Sequence, residues 1–431
     1  MADKTLMTKA GISLVISAGL IACAMIGPKY TLTVNESAKG SASGPAIEYK
    51  HVDAPVADRD NNLVSSEAWQ EIYPEICASY EANGNNNYRV SYLAEDQDPY
   101  LVDIYEGFGF AKDYTSAIAH NYCLEDVANT ERPHPLANCL TCKTADFTAL
   151  VNNMGSEAYS LAFEDVVSNM HENVGCYNCH ENQAGDGGKL VLTHDYTIAS
   201  IGDEVEAGTI KASTAVCGQC HIEYYFNAEN NKATTAPYEN IDQMDPDAIY
   251  AYYQELDFAD WVQESTGTRM LKAQHPETET FLGKGSLHAG MGLTCADCHM
   301  EKTVSDSGVA YSSHSLVSPL ESQAILDTCA SCHGSTDMKE KVHAIQKQVT
   351  DREKELGNKL ADLKNKLAEA NASGEYTEDE LNAIRELHRA AQWYFDFDYV
   401  ENSEGAHNSA LANRCLDTAN DYMDQALALF K

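Results

Sequence analysis

Five Cys-x-x-Cys pairs dominate this sequence: "CLTCK" at 139–143, "CYNCH" at 176–180, "CGQCH" at 217–221, "CADCH" at 295–299 and "CASCH" at 329–333. They take up ten of the 14 cysteines. Four of the pairs end in histidine, and only the first ends in lysine. A Cys-x-x-Cys-His pentapeptide is the attachment signature of c-type haem. Its two thiols, here Cys176 and Cys179, Cys217 and Cys220, Cys295 and Cys298, or Cys329 and Cys332, add to the haem vinyl groups. The following imidazole then reaches the iron from one face. Zinc is the competing reading, because two such pairs build one Cys₄ site. Five pairs leave one over, and zinc gives no reason for a fixed fifth residue. A thioredoxin-like motif would occur once, on a βαβ pattern. The chain is therefore read as carrying five covalently bound haems, with Cys139 and Cys142 attaching the first.

Each haem is a large apolar plate, and five of them supply much of a core. That predicts a mainly α fold, with short helices wrapped around cofactors and long helices at the C-terminus. Strand-like alternation is scarce. Residues 63–335 hold all five motifs at uneven spacing and form the pentahaem catalytic core. In residues 336–431 the text changes. Val342, Ile345, Val349, Leu356, Leu360, Leu363 and Leu367 recur at steps of three, four or seven, a heptad-like stripe on one long helix. Thr377, followed by Glu380, is a capping box opening a second helix over about 378–398. A third runs from about 407 to the end. The stripe needs a partner, either its own hairpin or a second subunit.

Covalent haem attachment takes place outside the cytoplasm, and the N-terminus agrees. Lys4 and Lys9 precede an uncharged stretch over 10–28 that is long enough to span a bilayer. Positive residues before it place the N-terminus inside and the rest outside. Residues 1–32 are read as a signal or membrane anchor. An uncleaved anchor, a cut near "ACA" at 22–24 and a lipid on Cys23 of "LIAC" all export the chain. The anchor is favoured because the apolar run continues past Cys23. Residues 33–62, small and polar, read as a flexible tether. The expected place is the periplasm or the outer face of the cytoplasmic membrane.

A formal charge of −37 excludes nucleic-acid binding as a function. An anionic substrate would need a locally positive channel, and an electron donor a basic face.

Axial ligands follow by counting. His180, His221, His299 and His333 are proximal ligands, and Lys143 stands in the fifth proximal place. A lysine amine binds iron only when neutral, against a free pKa of ~10.4, so the metal must displace its proton. It donates σ density and makes no π bond. The lysine-marked haem is thus the candidate for an open, reactive iron. The other four need distal ligands from the remaining histidines, and spacing alone does not choose them.

One Cys-x-x-Cys-Lys followed by four Cys-x-x-Cys-His, in this order, resembles the pentahaem cytochrome c nitrite reductase family, the ammonia-forming enzymes. The resemblance runs from about residue 60 to the end. It is most specific in "CLTCK", "CGQCHIEYYF" at 217–226 and "LKAQHPETETF" at 271–281. It implies Arg132, Tyr224 and His275 as active-site residues beside Lys143, with His134 competing for the place of Arg132. It implies a Ca²⁺ ion held by Glu223, Gln274 and the carbonyls of Tyr224 and Lys272. It implies His120 as distal ligand to the third haem, His288 to the fifth, His314 to the second and His407 to the fourth. His51, His134, His171, His194, His343 and His388 are left as surface or packing residues. The family reaction takes nitrite, six electrons and eight protons to ammonium and two waters. Members usually dimerise through long C-terminal helices, and tethered ones take electrons from a membrane-bound multihaem quinol-oxidising cytochrome. A pentahaem electron conduit, or a reductase of hydroxylamine or sulfite, are the alternatives. Cys77, Cys123 and Cys415 receive no role: two could form a disulfide, but three leave one over.

Overall fold

The computed structural model describes residues 33–34, 50–56, 58–59, 62–83, 98–113, 119–130, 132, 135–183 and 189–431. The expected anchor at 1–32 and His134 lie outside the described residues. Among those described, no helix is long and apolar enough to cross a membrane. The fold is mainly helical, and its described strands occur only as two-stranded ladders.

The attachment motifs sit on single turns, and the chemistry requires it. Two thiols at i and i+3 share a side only when the chain between them is helical. Cys176–Cys179 and Cys295–His299 form such turns, and Cys329–His333 closes the helix Gln323–His333. Ala137–Leu140 and Cys217–Gln219 form tighter 3₁₀ turns. Side-chain caps hold the starts. Thr294 and Asp297 make a reciprocal box before Cys295, and the Ser322 hydroxyl accepts the Ile325 N–H.

Three long helices close the chain: Met338–Ser373, Glu378–Tyr399 and Ser409–Leu427. Asp337 caps the first, and Gly374 ends it at φ 71°, the left-handed conformation that favours glycine. Thr377 and Glu380 form the expected box at the second. Asn408 caps the third. Val349, Leu356, Leu360, Leu363 and Leu367 are buried, while Val342 and Ile345 are half-buried. The buried stripe packs into one cluster with Ile384 and Phe395 of the second helix and Leu416 and Met423 of the third. The chain's own hairpin therefore covers the stripe. At Gly357 a Cβ would run into the Tyr100 ring, so glycine permits that close approach.

The same cluster takes in Tyr105, Tyr253, Leu271 and Ala273 from the haem-motif half of the chain. The helical platform thus seats the segment that carries His275. The end of the stretch read as a tether is docked. Arg59 is buried, lies 3.7 Å over the Tyr177 ring and donates to the His180 carbonyl at 2.7 Å. Its cation is desolvated against an aromatic face and two backbone oxygens, the second from Tyr177.

Candidate haem and substrate site

Three imidazole pairs face one another at similar separations. Ring centroids lie 6.1 Å apart for His180 and His314, 6.1 Å for His299 and His407, and 6.3 Å for His288 and His333. Two metal–imidazole bonds of about 2 Å, laid between two five-membered rings, give a centroid separation of about the same size. Each pair joins a motif histidine to a histidine from elsewhere in the chain, so the residues fit an iron held between them. In two pairs the second ring nitrogen is engaged. His407 Nδ1 lies 2.6 Å from Glu401 Oε1, and His314 Nδ1 lies 3.0 Å from the Ser312 carbonyl. This leaves Nε2 for a metal, the usual outer-shell arrangement of a metal-bound histidine. Burial lowers the His407 imidazole, but Glu401 outweighs it and pushes the group up to about 9.

The third motif is different. His120 is lowered to about 4 by burial and then by the charges of His221, His314 and Lys143. The His221 ring has its centroid 6.4 Å from that of His275. Both of those rings turn Nδ1 toward Glu277 Oε1, at 3.8 and 3.9 Å. They share a carboxylate, so centroid distance alone does not mark an iron pair. Burial works against the Glu277 charge, yet His221 and His275 hold its carboxyl down to about 2.

Cysteine neighbours give the motifs a spatial order. Cys142 of the first lies beside Cys220 of the third, and Cys217 of the third lies beside Cys295 of the fourth. Cys298 of the fourth feels Cys329 of the fifth. Cys179 of the second acts on both Cys217 and Cys220. The sites therefore run first, third, fourth, fifth, with the second branching at the third.

Positive groups gather near the first motif. Lys143 acts on His120, Cys123 and His275. Arg132 acts on Cys139 and lies 5.7 Å from the Phe110 ring centroid. The His275 side chain is 38% exposed. Burial lowers its imidazole, Glu277 opposes this, and His221, Lys143 and Lys272 add to the fall.

Tyr224 and His275 are brought together through their neighbours. The Gln274 N–H donates to Glu223 Oε2 at 2.6 Å, and Tyr253 donates to Glu223 Oε1 at 2.9 Å. Gln274 Nε2 donates to the Lys272 carbonyl at 3.1 Å. The Tyr224 ring lies 5.6 Å from Phe226. Glu223 is fully buried, and its carboxyl is raised well above the usual range by burial and by Glu279 and Asp260. Burial likewise raises Glu279 and Asp260 to about 7. Glu279 Oε2 is buried with no partner. A carboxylate, backbone carbonyls and an amide beside surplus buried negative charge fit a hard cation such as Ca²⁺.

Several residues outside the motifs matter here. Glu277, Glu401 and Asp396 orient histidines or the loop that bears one, and no spacing in the sequence marks them. The remaining histidines have other work. His51 Nε2 pairs with Asp146 at 2.6 Å, and the His171 N–H bonds the same carboxylate at 2.8 Å. His194 uses both ring nitrogens, on Thr193 and the Thr141 carbonyl. His388 is buried against Thr268, and His343 is exposed. Cys77, Cys123 and Cys415 are buried free thiols. Cys77 packs near Cys176, Cys123 near Cys142, and Cys415 lies in the helical platform.

The sequence pattern of the cytochrome c552 family matches residues 65–431. Among solved structures, the catalytic subunit of cytochrome c nitrite reductase from Desulfovibrio desulfuricans, which has two calcium sites, superposes with a TM-score of 0.75. It is 25% identical, over 85% of this chain and 85% of that one. The outer cell wall cytochrome OcwA is 20% identical over 70% of this chain and 48% of its own, at a TM-score of 0.39. The undecahaem S-layer cytochrome of Carboxydothermus ferrireducens is 16% identical over 72% and 41%, at 0.37.

Proposed function

From this chain's membership of the cytochrome c552 family, we propose that it is a cytochrome c nitrite reductase that takes nitrite to ammonium with six electrons. The observation that carries the reading is the Glu223–Gln274 hydrogen bond. It ties Tyr224 to His275, which feels the charge of Lys143, while Arg132 adds its charge beside Cys139 of the same motif.

The haem of the first motif supplies electrons and a coordination position for nitrite when bound. Everything else is done by the chain. Arg132 offers a fixed cation and fork-shaped donors to the nitrite oxygens. His275 donates hydrogen bonds and delivers protons as negative charge develops on those oxygens. Tyr224 donates a further hydrogen bond through its phenol hydroxyl. Lys143 marks the reactive site by its σ-only amine. Glu223, Gln274 and the carbonyls of Tyr224 and Lys272 would hold Ca²⁺, whose charge would offset Glu223, Glu279 and Asp260.

The spatial order of the motifs supports electron delivery from the fifth toward the first, with the second as a branch. His120, His288, His314 and His407 complete the other four haems. A periplasmic or membrane-tethered homodimer fed by a quinol-oxidising multihaem cytochrome completes the proposal. Because the apolar stripe of the first long helix is covered within the chain, a second subunit would use other faces of the helical platform.

The test supplies haem-loaded protein with reduced viologen and nitrite and measures ammonium against electrons consumed. Six electrons per nitrite with ammonium as sole product establishes the reading. No ammonium from haem-loaded, calcium-replete protein overturns it and favours a conduit or another substrate.

A further inference from the structure

The loop that bears His275 is held by a carboxylate on the C-terminal platform. Asp396 lies in the helix Glu378–Tyr399 and is fully buried. Its Oδ2 accepts the Ala273 backbone N–H at 2.9 Å and Lys272 Nζ at 3.0 Å. Its Oδ1 accepts the Tyr105 hydroxyl. Lys272 Nζ also donates to the Ala273 carbonyl at 2.7 Å and lies 5.0 Å from the Tyr105 ring centroid. The Lys272 N–H in turn donates to Asp260 at 2.8 Å. Three segments far apart in sequence thus converge on one carboxylate.

Stability does not explain this arrangement. A buried ion pair costs about as much to desolvate as it returns, and apolar residues of the same volume would often serve as well. What the carboxylate adds is direction. The Ala273 N–H bond fixes the backbone immediately before Gln274 and His275. The Lys272 bonds fix the residue whose carbonyl faces the Gln274 amide. We propose that Asp396 is a positioning residue, which sets the 272–275 loop so that the calcium donors meet Glu223 and His275 meets the substrate. The role of His275 rests on the nitrite reductase reading; the geometry of the loop does not.

The experiment uses the full haem-loaded protein and the Asp396→Asn variant. Asparagine keeps the volume but removes the negative charge, so Lys272 Nζ loses its counter-ion and one oxygen remains where two served three donors. Haem content, calcium affinity, kcat and KM for nitrite are measured. Haem content stays at the wild-type level. Calcium affinity falls by about 10–100-fold, as for other outer-shell changes. A displaced loop lowers kcat by about tenfold or more, and excess calcium restores part of it, which a merely structural defect would not allow. Tyr105→Phe removes one donor and shifts calcium affinity the same way by a smaller factor. Asp398→Asn, two residues on in the same helix, changes neither quantity.

Calcium affinity and kcat both within about twofold of wild type in Asp396→Asn overturn the proposal, since outer-shell losses run tenfold and above. If Asp396→Asn does not yield haem-loaded protein, Tyr105→Phe decides by the same readouts, and an unchanged calcium affinity overturns the proposal. Should the wild type make no ammonium, the nitrite reading fails by itself, and the calcium affinities still decide this one.

Discussion

The Gln274 backbone N–H is hydrogen-bonded to the Glu223 carboxylate at 2.6 Å, although the two residues belong to separate loops. Tyr224 follows the first and His275 follows the second, so one bond sets the spacing of two candidate active-site side chains. Glu223 is also fully buried, and the neighbouring Glu279 and Asp260 add to the rise that burial imposes on its carboxyl.

That double role separates geometry from charge. Glu223→Gln keeps an oxygen for the Gln274 N–H but removes the charge. Calcium affinity is expected to fall about 10–100-fold, the range seen when metal-site carboxylates and their supports are altered. In chelator-treated protein at neutral pH the variant melts higher than wild type, because the wild type must take up a proton to bury Glu223 without its counter-ion. With saturating calcium the order reverses. Scanning calorimetry with and without chelator reads both signs; the same order in both conditions would sink the assignment.

Lys143→His converts the first motif to the form of the other four. Haem content stays at the wild-type level, since both thiols are intact. Nitrite kcat falls by about tenfold or more because an outwardly similar ligand alters the electronic push on the reacting centre. Steady-state kinetics and the ferric absorption spectrum check this, and an unchanged kcat would remove the special role of lysine.

His275→Asn and Arg132→Ala each remove a donor aimed at developing negative charge. Losing one such donor costs about 10²–10³ in kcat. The absorption of the bis-histidine sites should not change in either variant. A loss of kcat accompanied by loss of haem would point to misfolding and count against the assignment.

Glu401 grips His407 Nδ1 and so raises the donor strength of that imidazole. Glu401→Gln weakens the grip and lessens stabilisation of the ferric state. Potentiometric titration should show one haem midpoint moving upward by on the order of tens of millivolts, with the others unmoved. A downward shift would contradict the pairing of His407 with His299.

Glu353 and Asp398 form a buried acid pair in the helical platform. Burial first, then mutual repulsion and Glu404, raise Glu353 to about 9, and burial with Glu401 raises Asp398 to about 8. Unfolded carboxyls titrate near about 4. The native state therefore binds more protons between those limits, and stability falls as pH rises from about 4 toward 9. Asp398→Asn mimics the protonated acid. It raises the melting temperature by about 1–3 °C at pH 8.5 and by less at pH 5, only about one unit above the unfolded value. An equal rise at both pH values would show that charge is not the cause.

Local chemistry is what the sequence spells out. The fold class was legible because five thiol pairs at i and i+3 demand helical turns and a cofactor-filled core. The capping box at Thr377 and the leucine stripe placed the long helices to within a few residues, since both signals operate within one or two turns. The partner of that stripe was not legible, and the tertiary structure gave it to the chain's own hairpin. Nor was the spatial order of the motifs, in which the third neighbours the first, second and fourth. Which histidine faces which motif, and that Asp396 holds the loop before His275, depend on segments far apart in the chain. Covalent spacing and helical period act over a few residues and leave a written pattern. Approach across a core is decided by packing and desolvation summed over the whole molecule, and that sum leaves no local mark.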